Sequence, residues 1–215
     1  MKAIRIHQYG GPDVLTLQDV PPPAAAPDEV LIRVVASSIN PIDCKIRAGG
    51  MTKSHPLALP ATLGWDASGV VDSVGAGVTR FQRGDAVFTY PAFGTSGTYA
   101  EFVAVKESQV AMKPKTISFV EAAALPMTAQ AAWMAVITAG QVSAGQRVLI
   151  HGASGGLGSI AVQLAKWRGA FVMGTASGDN LRLVQSLGAD EVIDYRTTPF
   201  QSVVRDADMV LDTIG

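Results

Sequence analysis

The sequence predicts an α/β protein in two parts: a partly closed, all-β barrel, then a parallel sheet with crossover helices. Three observations carry that expectation. The first half reads as short strands rich in Val, Ile, Phe and Tyr, several with period-2 alternation, punctuated by turn residues. At Ser118 the pattern turns helical, opening on the capping box SFVE. From Arg147 onward strands and helices alternate, as they do where crossovers join parallel strands. The domains expected are therefore 1–117 and 118–215.

In chain order, the barrel strands are KAIRI, EVLIRVVAS, SGVVDSVG, DAVFTY and TYAEFVAV. Between them lie PPPAAAPDE, RAGG, GAG, QRGD and FGTSG, all turn chemistry. Beyond Ser118 a helix runs toward Gly140, broken or kinked at Pro126. RVLIHG is then a strand, GLGSIAVQLAKWRG a helix and FVMGTA a second strand. DNLRLVQSLG is a helix, EVIDY a third strand and DMVLDTIG a fourth. A dinucleotide-binding sheet of this kind usually has about six strands. The shortfall leads us to expect the N-terminal part of a longer protein.

The composition narrows the class. With 215 residues, 48% of them apolar and 16% charged, the chain can bury a core. A net charge of −1 and scattered basic residues argue against a nucleic-acid partner. The single cysteine, Cys44, cannot form an internal disulfide and suits a reducing compartment. It is expected to be a small packed side chain. The start MKAIRIHQYGG has no apolar run of a secretory signal. Glu121, Pro126 and Gln130 interrupt the most apolar window, so no membrane span is expected. The expected location is cytoplasmic.

The stretch HGASGGLGS joins a strand to a helix, where free N–H groups at a helix start face an anion. Gly155 allows close approach of a pyrophosphate, and Gly158 lets the helix pack on the strand. The first glycine of the usual G-x-G-x-x-G pattern would fall at Ala153, so the match is imperfect. The candidate cofactor residues here are Ala153, Ser154, Gly155, Gly156, Leu157 and Gly158. A site preferring NAD places an acid at the end of the second strand. That strand ends Gly174-Thr175-Ala176-Ser177, with Asn180 and Arg182 nearby, which favours the 2′-phosphate of NADPH. Asp179 opposes this if it points inward.

The runs LGWDASGVVDSVGAGVTRFQRGDAVF, GTYAEF, AAALPMTAQAAW and VLIHGASGGLGSIAVQLAK together resemble the medium-chain dehydrogenase/reductase superfamily. More narrowly, they resemble its zinc-free quinone oxidoreductase branch. The resemblance implies a GroES-like catalytic domain followed by a Rossmann domain, incomplete here, and dimerisation of the full-length protein. It also implies that Asn40 and Trp65 stand where zinc-dependent relatives carry Cys and His, with the third ligand near Ala124. No metal site is therefore expected. On the same ground Asn40, in NPID, is the catalytic candidate, its amide donating to a substrate carbonyl; the plainer reading is a turn. Thr128 and Tyr195 match cofactor-contacting positions, and the family's usual basic residue for the 2′-phosphate falls at Asn180. Aromatic residues that line the quinone pocket of some members correspond to Lys45 and Met51.

The expected reaction is hydride transfer from NADPH to a quinone or α,β-unsaturated carbonyl (enone) without zinc. Two alternatives stay open: a trans-2-enoyl thioester reductase, and a non-catalytic NADPH-binding sensor. His7, His55, His151, Tyr90 and Tyr99 carry ordinary structural readings.

Overall fold

The computed structural model describes residues 1–94 and 97–215. Of the expected turns, FGTSG includes Thr95 and Ser96, which lie outside the described residues. Two compact units divide at Met127/Thr128, whereas the change of sequence pattern lies at Ser118.

The first unit contains β1 (Lys2–Ile6), β2 (Thr16–Asp19), β3 (Glu29–Ser37), α1 (Pro41–Arg47), β4 (Ala61–Thr62) and β5 (Ala67–Val74). It continues with β6 (Ala86–Thr89), β7 (Phe102–Lys106), β8 (Val110–Met112) and α2 (Phe119–Ala123). A five-stranded antiparallel sheet of order β7-β3-β5-β6-β8 and a three-stranded one of order β2-β1-β4 make a curled half-barrel. Alternate side chains point inward, so Val30 and Ile32 of β3 meet Val103 and Val105 of β7 in one core. Register shifts in the β3–β5 pairing bend the sheet.

The capping box at Ser118 forms as the sequence implies. Ser118 Oγ accepts from the Glu121 N–H at 3.2 Å, and Glu121 accepts from the Ser118 N–H at 2.7 Å. The helix it opens, α2, packs on β3 and β5, and Ser68 of β5 donates its hydroxyl to the Phe119 carbonyl. Ser118 thus starts a helix that belongs to the barrel, and the compact unit extends past it. Pro126 opens the next helix, α3 (Pro126–Trp133), and π-helical residues Met134–Ala139 continue to Gly140.

The second unit carries β9 (Arg147–Ile150), α4 (Gly156–Trp167), β10 (Phe171–Ala176), α5 (Asn180–Ser186), β11 (Glu191–Asp194), α6 (Phe200–Val203) and β12 (Met209–Leu211). Its four strands are parallel, in the order β11-β10-β9-β12. Both faces of this sheet are covered, as parallel sheets require. Val148 and Ile150 face a core that includes Ala161, Val162 and Ala165 of α4, while Leu149 and Met173 face Phe200. Gly158, Ala161, Val162 and Ala165 are the buried positions of α4, the i, i+3, i+4, i+7 stripe of an amphipathic helix.

Candidate functional site

The second unit places a glycine loop at the point where the strand order reverses. β10 lies on one side of β9 and β12 on the other, and the crevice beyond such a switch point is where doubly wound sheets hold ligands. The chain leaves β9 and turns at Gly152, whose φ of +63° suits glycine. Gly152 therefore supplies the tight turn that the sequence pattern sought one position later. Ala153 instead packs into the core, fully buried, and donates its N–H to the Thr175 carbonyl at 3.1 Å.

Gly155 occupies the cap position of α4 and has no side chain to satisfy the first-turn N–H groups. Gly155 and Gly156 are exposed, so these donors are open to an anion. A Cβ on Gly158 would stand 2.2 Å from the Gly152 carbonyl oxygen, which shows how tightly α4 closes on the loop. Gly156 has the Thr128 methyl 3.6 Å from where its Cβ would be, so Thr128 borders the same loop. Ser154 and Leu157 are half-buried within the turn. This uncapped, glycine-lined helix start fits a dinucleotide pyrophosphate.

At the end of β10, Ser177 Oγ donates to Tyr195 Oη at 3.1 Å, bringing two of the expected contact residues together. That hydrogen bond holds the Tyr195 phenol below its ordinary range. Asn180 begins α5 and is exposed, as are Asp179 and Arg182. His151 makes a local hydrogen bond to Thr175 Oγ1 at 3.1 Å.

In the first unit, NPID is the start of a helix. Asn40 caps α1 in extended conformation and Pro41 takes the first helical position. The Asp43 carboxylate accepts the Asn40 backbone N–H. The Asn40 side chain turns the other way: Nδ2 donates to Asp66 Oδ2 at 2.8 Å and lies 3.4 Å from Ser38 Oγ. Its N–H groups therefore point at Asp66 and Ser38.

Asp66, in LGWDASG, is fully buried. Its Oδ2 also accepts from Ser38 Oγ at 2.7 Å, and its Oδ1 accepts the Met127 N–H at 2.8 Å. Burial raises its pKa, and the donors from Asn40, Ser38 and Met127 oppose the rise. Asp43 is 3% exposed; burial again raises its pKa, the Asn40 N–H opposes this, and the charge of Asp66 adds to it. Asp43 Oδ1 and Tyr99 Oη are buried without completing a hydrogen bond. The Tyr99 phenol is pushed far up by burial and then by the Asp43 charge. Tyr90 is raised by burial and by both carboxylates.

Beside this polar group stands an aromatic cluster centred on Phe93. Its ring meets His55 at 4.5 Å, Trp65 at 5.1 Å and Tyr90 at 6.0 Å. His55 thus packs on an aromatic ring, where a loop histidine would ordinarily be solvated. Met51 joins the surrounding apolar cluster, and Lys45 is exposed. Cys44 is exposed rather than packed, because α1 turns Asp43 and Ile46 inward and leaves Cys44 on its outer face. A groove of ≈ 700 Å³ lined by Arg5, Pro21, Glu29, Pro60 and Phe102 holds none of the candidate residues.

Sequence reasoning missed Asp66 and Asp43 and gave Tyr99 an ordinary structural reading. For Asp43 a signal was present, since N-P-x-D is a cap residue, a proline and an acid three positions on.

Among the described residues no helix is long and apolar enough to cross a membrane, and no three His, Cys, Asp or Glu side chains cluster to hold a metal. A family model described as the alcohol dehydrogenase GroES-like domain matches residues 26–115, and one described as zinc-binding dehydrogenase matches residues 156–215. The quinone oxidoreductase of Rattus norvegicus is 42% identical over 198 residues, covering 91% of this chain and 59% of its own length. The chloroplastic NADPH-dependent alkenal/one oxidoreductase of Arabidopsis thaliana is 39% identical over 224 residues, covering 100% of this chain and 58% of its own. The chain thus spans less than two thirds of the length of both. Among solved structures, the quinone oxidoreductase from Coxiella burnetii superposes with a TM-score of 0.88 at 37% identity, covering 100% of this chain and 69% of that one.

Proposed function

The chain belongs to the medium-chain dehydrogenase/reductase superfamily, and from that premise we propose that its protein is a zinc-independent, NADPH-dependent reductase of quinones or α,β-unsaturated carbonyls. The observation that carries the reading is the open glycine loop at the switch point, with exposed Gly155 and Gly156 at the uncapped start of α4. When bound, NADPH supplies a hydride from its nicotinamide ring. The loop N–H groups hold the pyrophosphate, and Thr128 borders it. Ser177, Tyr195 and Asn180 hold the adenosine end, and the absence of an acid at the end of β10 suits a 2′-phosphate. Asn40, in the first unit beside the Phe93 aromatic cluster, is the polar contact proposed for the substrate.

The donor set supports a zinc-free reaction. Asn40 and Trp65 stand where the resemblance puts a thiolate and an imidazole, and neither is among the usual ligands of catalytic zinc. Trp65 is 3% exposed and packed among apolar neighbours, so it serves the core.

Following NADPH oxidation by the full-length protein against a quinone, a short enone and an enoyl-CoA tests the proposal. Turnover of the first two that survives zinc chelation is expected. Turnover confined to the thioester would favour the enoyl reductase reading, and NADPH binding without any turnover would favour a sensor.

A further inference from the structure

Where β9 ends, its backbone groups leave the regular ladder and still need partners. The His151 N–H reaches the Leu211 carbonyl of β12 at 2.9 Å, and the Ala153 N–H reaches the Thr175 carbonyl of β10 at 3.1 Å. Between these two bonds lies a single peptide, made of the His151 carbonyl and the Gly152 N–H. Two threonine hydroxyls hold it, one from each flank. Thr213 Oγ1, just past β12, donates to the His151 carbonyl at 2.8 Å, and Thr175 Oγ1 on β10 accepts the Gly152 N–H at 3.3 Å. A hydroxyl has one proton. Thr175 is 3% exposed and its oxygen already takes the Gly152 N–H, so that proton goes to His151 Nδ1 at 3.1 Å.

The peptide held in this way sets the loop that follows. Gly152 sits at a φ of +63°, where a Cβ would stand 2.5 Å from Thr213 Oγ1. Its carbonyl accepts the Gly155 N–H at 2.9 Å, and α4 closes on the same carbonyl at Gly158. A tilt of the His151–Gly152 peptide would therefore move the start of α4, where the open N–H groups lie.

We propose that Thr175 and Thr213 are positioning residues for the cofactor pyrophosphate, fixing the peptide plane from which the uncapped start of α4 is aimed. The inference rests on the glycine loop being the cofactor site. Because the clamp acts through the loop, it governs the phosphates and not the adenosine end assigned to Ser177, Tyr195 and Asn180.

The experiment measures binding of NADPH and of adenosine 2′-phosphate, which lacks the pyrophosphate, to the full-length protein by calorimetry. Wild type is compared with Thr175→Val, which keeps the shape and removes the hydroxyl, and with Thr175→Ser, which keeps the hydroxyl. Thr175→Val is expected to weaken NADPH binding about 5- to 10-fold, the value of one hydrogen bond, and to leave adenosine 2′-phosphate unchanged. Thr175→Ser is expected to restore NADPH affinity. A folded Thr175→Val that keeps NADPH affinity, or loses both ligands equally, overturns the proposal and leaves the cofactor reading standing. Should Thr175→Val not fold, Thr213→Val decides by the same comparison, and unchanged NADPH affinity there overturns the proposal. A wild type that binds no NADPH refutes the cofactor reading itself, and this inference with it.

Discussion

Asn40 Nδ2 donates to Asp66 Oδ2 at 2.8 Å, with Asn40 7% exposed and Asp66 fully buried. A buried carboxylate with three neutral donors and no cation among its partners survives only because every donor is aimed at it. The arrangement also ties the capping residue of α1 to LGWDASG, 26 residues along the chain. Truncating Asp66 to Ala should therefore strand the Ser38 hydroxyl, the Asn40 amide and the Met127 N–H together. A loss of about 1–3 kcal/mol in urea unfolding is expected. An unchanged midpoint would mean that water replaces the carboxylate at no cost.

The glycine loop separates two effects that are usually confounded. On Gly158 an added Cβ meets the Gly152 carbonyl oxygen at 2.2 Å and the Ala153 Cα at 2.9 Å, both backbone. Gly158→Ala should therefore cost stability, about 1–3 kcal/mol, along with cofactor binding. On Gly155 the nearest atom is 3.2 Å away and φ is −74°, which any residue adopts. Gly155→Ala, whose nearest neighbour is the Gly152 carbonyl oxygen, should cost less stability than Gly158→Ala while NADPH affinity, read by fluorescence titration, falls. If the two variants lose stability equally, Gly155 serves the fold and not the ligand.

The contrast between these two places explains what could be read from the sequence. The loop was legible because its chemistry is local: strand, glycines and helix follow one another within HGASGGLGS. The four parallel strands were legible for the same reason, each a short apolar run. Asp66 was not, because an aspartate between a tryptophan and a small-residue strand looks the same in sequence whether buried or solvated. Its burial depends on Ser38, Asn40 and Met127, all distant along the chain. The orientation of Asn40 was hidden by that same long-range contact. The exposure of Cys44 was not legible because NPID reads equally as a turn, and only the face of α1 decides which neighbours point out. The Ser118 capping box was legible as a helix start, but only the packing of α2 on β3 and β5 shows which unit owns that helix.

Cofactor preference can be tested at the end of β10. Ser177 donates to Tyr195 at 3.1 Å, and β10 itself ends without an acid, Asp179 following two residues after Ser177. Ser177→Glu would place a carboxylate there, which accepts from that hydroxyl and repels a 2′-phosphate. NADPH affinity is expected to fall about tenfold or more while NADH affinity holds or rises. Equal changes for both cofactors would show that the 2′-phosphate lies elsewhere.

The last expectation concerns pH. Burial raises the native pKa of Asp43, against its own hydrogen bond from the Asn40 N–H. Between the ordinary aspartate value and the raised native value, the folded chain holds more protons at this group than the unfolded chain. Its contribution to stability is then fully present below the ordinary value and is lost as pH rises through the native one. Asp66 has the same sign. Asp19, Glu121, Asp190 and Asp212 are held low and contribute the opposite slope, so the total curve does not isolate the effect. The difference between wild type and Asp43→Asn does. The variant keeps an acceptor for the Asn40 N–H and replaces the carboxylate that faces the Tyr99 phenol with a neutral amide. Relative to wild type it should therefore gain stability as pH rises from the ordinary aspartate range through the raised native value. Urea unfolding of both proteins across that range measures it. A difference that stays flat, or that grows as pH falls, would show that Asp43 is not carried as an uncompensated buried anion.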